Sequence, residues 1–326
     1  MLCITHSSTD PYFNLAAEEY LLKNFSDNCF MLWRNENTIV VGKHQNTLAE
    51  INLDFVREKN INVVRRLSGG GAVFHDLGNL NFTFIMNGHE GNLVEFKKYT
   101  RPLLEVLQKL SVDARFQGRS DLTINGRKFS GNAEHIYKKR VLHHGTLLFS
   151  SIMEDLQLAL RVNPLKYKSQ AVKSIRSRVT NIKDHLSADL DVIQFRDMIL
   201  EHILDIFPDS VRYEFSLEDI NNINELKNKK YSTWEWNFGY SPKYDFERSI
   251  SANGEYIQIH LNVSGGIIQK AKINGTLFNE PHIAIIEGML PGIKHNETEL
   301  LNKFKSIPFS DYFKNITTNE FVRGLF

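Results

Sequence analysis

Residues that can handle an anion are concentrated in Arg65-Arg66-Leu67-Ser68-Gly69-Gly70-Gly71-Ala72-Val73-Phe74-His75-Asp76-Leu77-Gly78-Asn79. Glycines without Cβ atoms let the backbone run flush against a ligand and turn its N–H groups toward it. An adjacent guanidinium adds a planar fork suited to phosphate or carboxylate. A bare glycine triplet reads as an ordinary hairpin turn, and the flanking arginines are what argue for a ligand. The run is not a Walker loop, because the GxxxxGK[ST] spacing is missing and no helix opens after it; the GxGxxG pattern fails as well. Lys128, just before Ser130-Gly131-Asn132-Ala133, is a second cation. A strand lysine is most often plain surface. Converging with Arg66, however, it would meet the needs of an adenylate: the guanidinium on phosphate oxygen, the ammonium at the carboxylate–phosphate junction.

The elements around these residues follow from pattern. Ile61 to Val64 reads as a buried strand, and Asn81 to Ile85 alternates as a second strand. Asp10 and Pro11 start a helix, with Phe13, Ala16, Ala17, Tyr20 and Leu21 repeating along one apolar face. Phe30 to Trp33 and Thr38 to Val41 read as strands, with Gly42 to Asn46 a polar loop. A short helix then carries Leu53, Phe55 and Val56, and a long one carries Phe96, Leu103, Val106, Leu107 and Leu110. Asp121 to Ile124 and Arg127 to Gly131 flank Asn125-Gly126, a two-residue hairpin signature that places Lys128 on the second strand. Val141 to Phe149 is a further strand. Residues 165–178, with Lys166, Lys168, Lys173, Arg176 and Arg178, read as a mobile basic loop over the site. Ile199, Ile203 and Phe207 mark a helix, and Ser216 with Asp219 a capping box. Trp234 to Pro242 ends a first domain, 1–242. A small α+β domain, 243–326, follows, with a hairpin of Ile257 to Val263 and Ile267 to Ile273 turning at Ser264-Gly265-Gly266.

Composition narrows the class. The 326 residues are 42% hydrophobic and 24% charged, ordinary for a globular protein. Lysine plus arginine total 39 against 38 acids, so no net field advertises nucleic acid or membrane, and any anion site must be local. The sequence shows neither a secretory signal nor a membrane span, which predicts a soluble, cytoplasmic protein. Cys3 and Cys29 form no disulfide framework or metal spacing, and neither lies near the glycine run or Lys128, so no covalent thioester nucleophile is on offer. His75, His143 and His144 suggest a metal, but successive strand residues face opposite ways, which separates His143 from His144. Asp76 and Asp121 could partner a lysine or a triphosphate-bound Mg²⁺, or cap turns.

Taken together, the motifs resemble the lipoate–protein ligases, which share a fold with biotin protein ligases. The resemblance runs nearly end to end. It rests on Phe13-Asn14-Leu15-Ala16 with Glu18-Glu19, the Arg65 to Asn79 block, Asp121 with Lys128-Phe129-Ser130-Gly131, and His143-His144-Gly145-Thr146-Leu147. Ser177-Arg178-Val179-Thr180-Asn181 and Thr233-Trp234-Glu235-Trp236 complete it. It implies an α+β fold, a large mixed-sheet catalytic domain plus a small accessory domain. The activity it implies is ATP-dependent: lipoate is activated to lipoyl-AMP, and the lipoyl group passes to a lysine on lipoyl domains of 2-oxoacid dehydrogenases or on glycine cleavage H protein. By the same resemblance Lys128 is the catalytic lysine and Arg66 the nucleotide-contacting arginine. Gly71, Ala72, Val73 and Phe74 supply backbone around the adenylate. Ser68, Gly69, Gly70, His75, Asp121, Ser130, Gly131, His144 and Arg178 complete the ligand set. Mg²⁺ would arrive on the ATP phosphates with Asp121 at hand, and no resident metal is implied. The segment from Lys166 to Arg178 resembles one that orders over the adenylate. Two positions depart from the family pattern: Ser120 replaces an asparagine, and Lys43 an arginine whose bidentate fork it lacks.

A lipoyl or octanoyl transferase using a preformed donor is the alternative. A non-catalytic relative is disfavoured by Arg66 and Lys128, and a biotin ligase by the missing GRGRxG-type segment. A monomer is the default expectation.

Overall fold

The computed structural model describes residues 1–88, 95–160, 166–175, 177–252, 255–276, 280–305, 307–313 and 316–326. Residue 165 and Arg176 of the basic segment lie outside the described residues. In chain order, β1 is Leu2–Thr5, β2 Cys29–Trp33, β3 Thr38–Val41, β4 Asn62–Arg65 and β5 Val73–His75. β6 is Asn79–Asn87, β7 Ala114–Gln117, β8 Asp121–Ile124, β9 Arg127–Tyr137 and β10 Arg140–Leu148. β11 is Tyr167–Ser169, β12 Val211–Tyr213, β13 Tyr244–Ala252, β14 Glu255–Ser264 and β15 Ile267–Gly275. Contacts divide the chain into one unit of Met1–Lys43, Phe55–Leu160 and Ser174–Thr233, and another of His44–Asp54, Arg161–Lys173 and Trp234–Phe326.

The first unit is built on a mixed eight-stranded sheet ordered β12-β1-β2-β6-β10-β9-β8-β7. β1 runs parallel to β12 and β2, and β6, β10 and β9 continue antiparallel. Side chains alternate across such a sheet. Phe30, Leu32, Leu80, Phe82 and Phe84 enter one core with Leu103, Val106 and Leu107 of the helix Phe96–Lys109 and with Ile199 and Ile203 of Val192–Ile206. The opposite face lies against the helix Pro11–Asn24 through Trp33, Thr83 and Glu18. Because both faces are covered, β2 is buried at every position, which explains its unbroken apolar run. Cys3 and Cys29 are free and buried within this unit.

Several local signals act as the sequence predicts. Asp10 caps Pro11–Asn24 by accepting from the N–H groups of Tyr12 and Phe13, and Ser216 and Asp219 form a capping box. Asn125 and Gly126 adopt φ of 51° and 73°, the positive values a two-residue hairpin turn requires. Others differ. The helix Pro11–Asn24 does not bury a single apolar face: Asn14, Glu18 and Glu19 are buried too, each held by polar partners. The basic segment is not irregular throughout, since β11 pairs with β13. β1, β5, β7, β12 and β13 carry no clear periodic signal in the sequence, because most are short and lean on their neighbours.

The second unit holds an antiparallel sheet, β11-β13-β14-β15, whose Ile257, Ile259, Leu261 and Val263 pack with Leu300, Phe304, Phe321 and Leu325. His295 lies inside this core. Tyr244 donates its hydroxyl to His295 Nδ1 at 2.6 Å, Nε2–H donates to the carbonyl of Leu325, and the ring stacks on Phe326. No helix among the described residues is long and apolar enough to cross a membrane.

Burial lowers the His295 pKa to about 4. The unfolded ring protonates near its ordinary value, so between pH 6.5 and 4 the unfolded chain binds more protons and stability falls as pH falls. Urea unfolding of the wild type should lose on the order of 2 kcal/mol from this residue between pH 6.5 and 5. His295→Gln, which retains a donor and an acceptor but does not titrate, should flatten that slope.

Candidate active site

The glycine run is not a hairpin turn. β4 and β5 lie on opposite sides of β3, β4 parallel and β5 antiparallel to it. The chain therefore crosses the end of β3, directly over Gly42. A Cβ on Gly42 would lie 2.2 Å from the Gly70 carbonyl oxygen, so only glycine permits the crossing. Lys43 N–H donates to the Ser68 carbonyl at 2.8 Å, and Gly70 takes φ +90°.

Both arginines of the block are buried and hold this crossing in place. Arg65 Nη1 donates to the carbonyls of Gly42 and Lys43 at 3.0 and 3.1 Å. Arg66 donates from Nε to Ser68 Oγ at 3.0 Å, from Nη1 to the Val40 carbonyl at 3.2 Å, and from Nη2 to the carbonyls of Gly69 and Gly71 at 2.6 and 2.8 Å. Burial lowers its pKa to about 10, with the Glu18 carboxylate opposing, so it stays charged at neutral pH. In a trans peptide the C=O and the following N–H point opposite ways. Turning the Gly69 and Gly71 carbonyls onto Arg66 thus turns the Gly70 and Ala72 N–H groups away from it. Ala72 N–H meets Ser174 Oγ at 2.8 Å. Among the described residues the N–H groups of Gly69, Gly70 and Gly71 meet no acceptor, the arrangement an anion cradle uses.

From Ser68 a chain of contacts runs into the sheet. Ser68 Oγ lies 2.6 Å from His144 Nε2, and His144 Nδ1 lies 2.9 Å from Glu18 Oε1. The carboxylate only accepts, so in a neutral ring Nδ1 carries the proton and Nε2 accepts a hydrogen bond from the Ser68 hydroxyl. Thr83 donates to the same Glu18 oxygen, and Trp33 Nε1 donates to Thr83. Glu18 belongs to a motif the sequence shows, yet its place here is not evident there. The available signal is a carboxylate beside Ala16, Ala17 and Leu21 on a buried helix. His143 faces the other way, into the core, with Nδ1 2.8 Å from Glu134 Oε1, as strand alternation requires.

Lys128 enters from β9. The register between β8 and β9 shifts at this point, so Phe129 and Ser130 are buried while Lys128 is re-aimed. Its ammonium lies 2.9 Å from Asp121 Oδ1 and folds over Gly131, whose added Cβ would meet Lys128 Cε and Nζ at 3.0 Å. The Gly131 N–H donates to Thr146 Oγ1 at 3.3 Å. Thr146 shares a face of β10 with His144, two residues away. The glycine crossing, Arg66, Ser68, His144, Gly131, Lys128 and Asp121 thus form one neighbourhood. Ser130 is held there by Asn132 Nδ2 at 3.2 Å. Phe74 and His75 are buried on β5, and Val73 is half-buried. Arg178 contributes backbone, its carbonyl accepting from Lys128 N–H at 2.8 Å, while its side chain is exposed. Asp76 caps turns: its two oxygens accept from Gly78 and Ile152 N–H. No cluster of three or more metal-ligating side chains occurs among the described residues.

A family model described as the lipoyl protein ligase A/B catalytic domain matches residues 10–204, and one described as the bacterial lipoate protein ligase C-terminus matches 241–325. Lipoate–protein ligase 1 of Staphylococcus aureus is 41% identical over 97% of this chain and 96% of its own. Lipoate-protein ligase LplJ of Bacillus subtilis is 38% identical over 96% of each. The crystal structure of P. falciparum LipL1 in complex with lipoate matches with a TM-score of 0.63 at 25% identity, covering 94% of each chain.

The Gly42 crossing generates a test. Gly42→Ala forces a methyl against the Gly70 carbonyl, and the chain must lift away; overpacking of this kind costs roughly 1–3 kcal/mol. Denaturant unfolding should show that loss, whereas Gly69→Ala, whose Cβ meets nothing within 4 Å, should leave stability nearly unchanged.

Proposed function

The chain belongs to the lipoate–protein ligase family, and on that premise we propose that it attaches lipoate to acceptor-protein lysines in two half-reactions at one site. First the lipoate carboxylate attacks the α-phosphorus of ATP, forming lipoyl-AMP and releasing pyrophosphate. Then the acceptor lysine amine attacks the acyl carbonyl, forming the amide and releasing AMP. The observation that carries this reading is 41% identity to a ligase along nearly the whole chain.

We assign Lys128 to the charge that grows at the carboxylate–phosphate junction in both steps. Asp121 keeps the ammonium aimed, and its carboxylate is the side chain on offer to an Mg²⁺ brought by the triphosphate. The Gly70 N–H, turned away from Arg66, and the Gly69 and Gly71 N–H groups, which meet no acceptor among the described residues, suit phosphoryl and carboxylate oxygens, with the backbone of Ala72, Val73 and Phe74 following. In this reading Arg66 acts chiefly by shaping that crossing, with Ser68 and His144 behind it. Ser130 and Gly131 give Lys128 its path, and Arg178 backs the strand that carries it. The acceptors in this reading are lipoyl domains of 2-oxoacid dehydrogenases and glycine cleavage H protein. The protein works as a cytoplasmic monomer, with 1–242 as the catalytic part and 243–326 as the accessory part.

Pyrophosphate release with ATP, Mg²⁺ and lipoate, before any acceptor is added, tests the activation step. It should require lipoate and fall by about a hundredfold or more in Lys128→Ala. Modification of a lipoyl domain from synthetic lipoyl-AMP without any such release would make the protein a transferase instead.

A further inference from the structure

Four buried asparagines around His75 decide which of its ring nitrogens carries the proton. Asn14, Asn35, Asn79, Asn81 and His75 all lie in the first unit, none more than 3% exposed. The chain of deduction starts from backbone, whose chemistry is fixed. The Arg34 carbonyl lies 2.8 Å from Asn14 Nδ2 and the Ser8 carbonyl 3.3 Å from it, so that end of Asn14 must be its NH₂. Asn35 therefore presents Oδ1 to Asn14, at 2.9 Å. Its NH₂ is then the end that faces His75 Nδ1, at 3.1 Å. A second amide lies nearby without a backbone anchor of its own: Asn79 Nδ2 donates to Asn81 Oδ1 at 2.9 Å, with Asn81 Nδ2 toward His75 Nδ1 at a longer 3.5 Å.

The anchored Asn35 NH₂ can only donate, so Nδ1 accepts and the proton of the neutral ring resides on Nε2, with Asn81 Nδ2 in support. That Nε2 is buried and has no hydrogen-bond partner. Burial with no partner leaves a polar group costly to keep, and such groups concentrate where something else completes the bond. The ring lies edge-on to Trp33 at 6.2 Å, and Arg66 and His144 are its charged and titratable neighbours. It therefore belongs to the same neighbourhood as the glycine crossing.

We propose that Asn35 and Asn81 are positioning residues that lock His75 as a neutral Nε2–H donor for an anionic oxygen of the substrate, either the acyl carboxylate or the phosphoryl it joins. A neutral donor suits this place, because Arg66 already supplies the full charge. This rests on the ligase reading and adds to it two residues that act through a third. Asn35→Asp preserves shape and still accepts from Asn14, but sets a carboxylate against Nδ1 and draws the proton there.

The experiment follows the ring nitrogens of ¹⁵N-histidine-labelled protein by long-range ¹H–¹⁵N NMR, together with lipoate-dependent pyrophosphate exchange. Wild type should show His75 neutral, protonated on Nε2, with that signal moving when lipoate and ATP analogue are added. Asn35→Asp should move the proton to Nδ1 and reduce exchange by about tenfold or more. A rise in lipoate KM with ATP KM unchanged assigns the carboxylate as acceptor, and a fall in kcat alone assigns the phosphoryl. Wild-type protonation on Nδ1, no response of the signal to ligands, or unchanged exchange in a variant whose ring proton has moved would each overturn the proposal. The wild-type spectrum decides even if the variant misfolds. Absence of lipoate-dependent exchange in wild type would instead strike the ligase reading, leaving the tautomer untouched.

Discussion

A full positive charge that cannot reach bulk water governs the architecture of the site. Removing a guanidinium from water costs several kcal/mol unless its donors are met and its charge is balanced. Arg66 meets that demand with Ser68 Oγ and three backbone carbonyls, and Glu18 stands across from it. Two of those carbonyls belong to the glycines themselves, so the requirement of the arginine dictates the shape of the loop. The outward amides are then the far ends of peptide planes already committed. The loop is organised before a ligand arrives, which spares the ordering cost that a floppy turn would add on binding.

The polar face of β6 extends the same constraint. Asn79, Asn81 and Thr83 alternate with Leu80, Phe82 and Phe84, which on its own describes a strand with one wet side. Here neither side is wet. The helix Pro11–Asn24 covers the polar side, where its Glu18 accepts from Thr83, while its Asn14 holds Asn35 against His75. A buried polar network is costly wherever a member goes unmet, as His75 Nε2 does here, so the others must be met by one another. That is why residues distant in sequence must be fixed jointly, and why one helix carries so many buried polar side chains.

Much of this was legible beforehand, and the limits have physical causes. The Asn125-Gly126 turn, the Asp10 and Ser216 caps and the opposed faces of His143 and His144 follow from local rules that neighbours do not override. The glycine block and Lys128 stood out as residues suited to an anion. The inward role of Arg66 did not, because a guanidinium fits a carbonyl cage as well as it fits a phosphate. Nor did the crossing over Gly42, which depends on β4 and β5 flanking β3, a matter of topology. β11 escaped notice inside a basic segment since its partner, β13, lies far along the chain. Glu18 and the asparagines were visible as residues, but nothing local reveals that they are buried.

The turn that aims Lys128 also has a chemical lifetime. Asn125 is exposed and followed by glycine, the pairing least able to hinder attack of the next backbone nitrogen on the side-chain amide. The resulting succinimide opens largely to isoaspartate, which inserts an extra backbone atom. In a two-residue turn such an atom cannot be absorbed without shifting the register of the strand that follows. Ageing of a stored preparation would therefore be felt three residues away, at the ammonium of Lys128, while the core of the protein stayed intact.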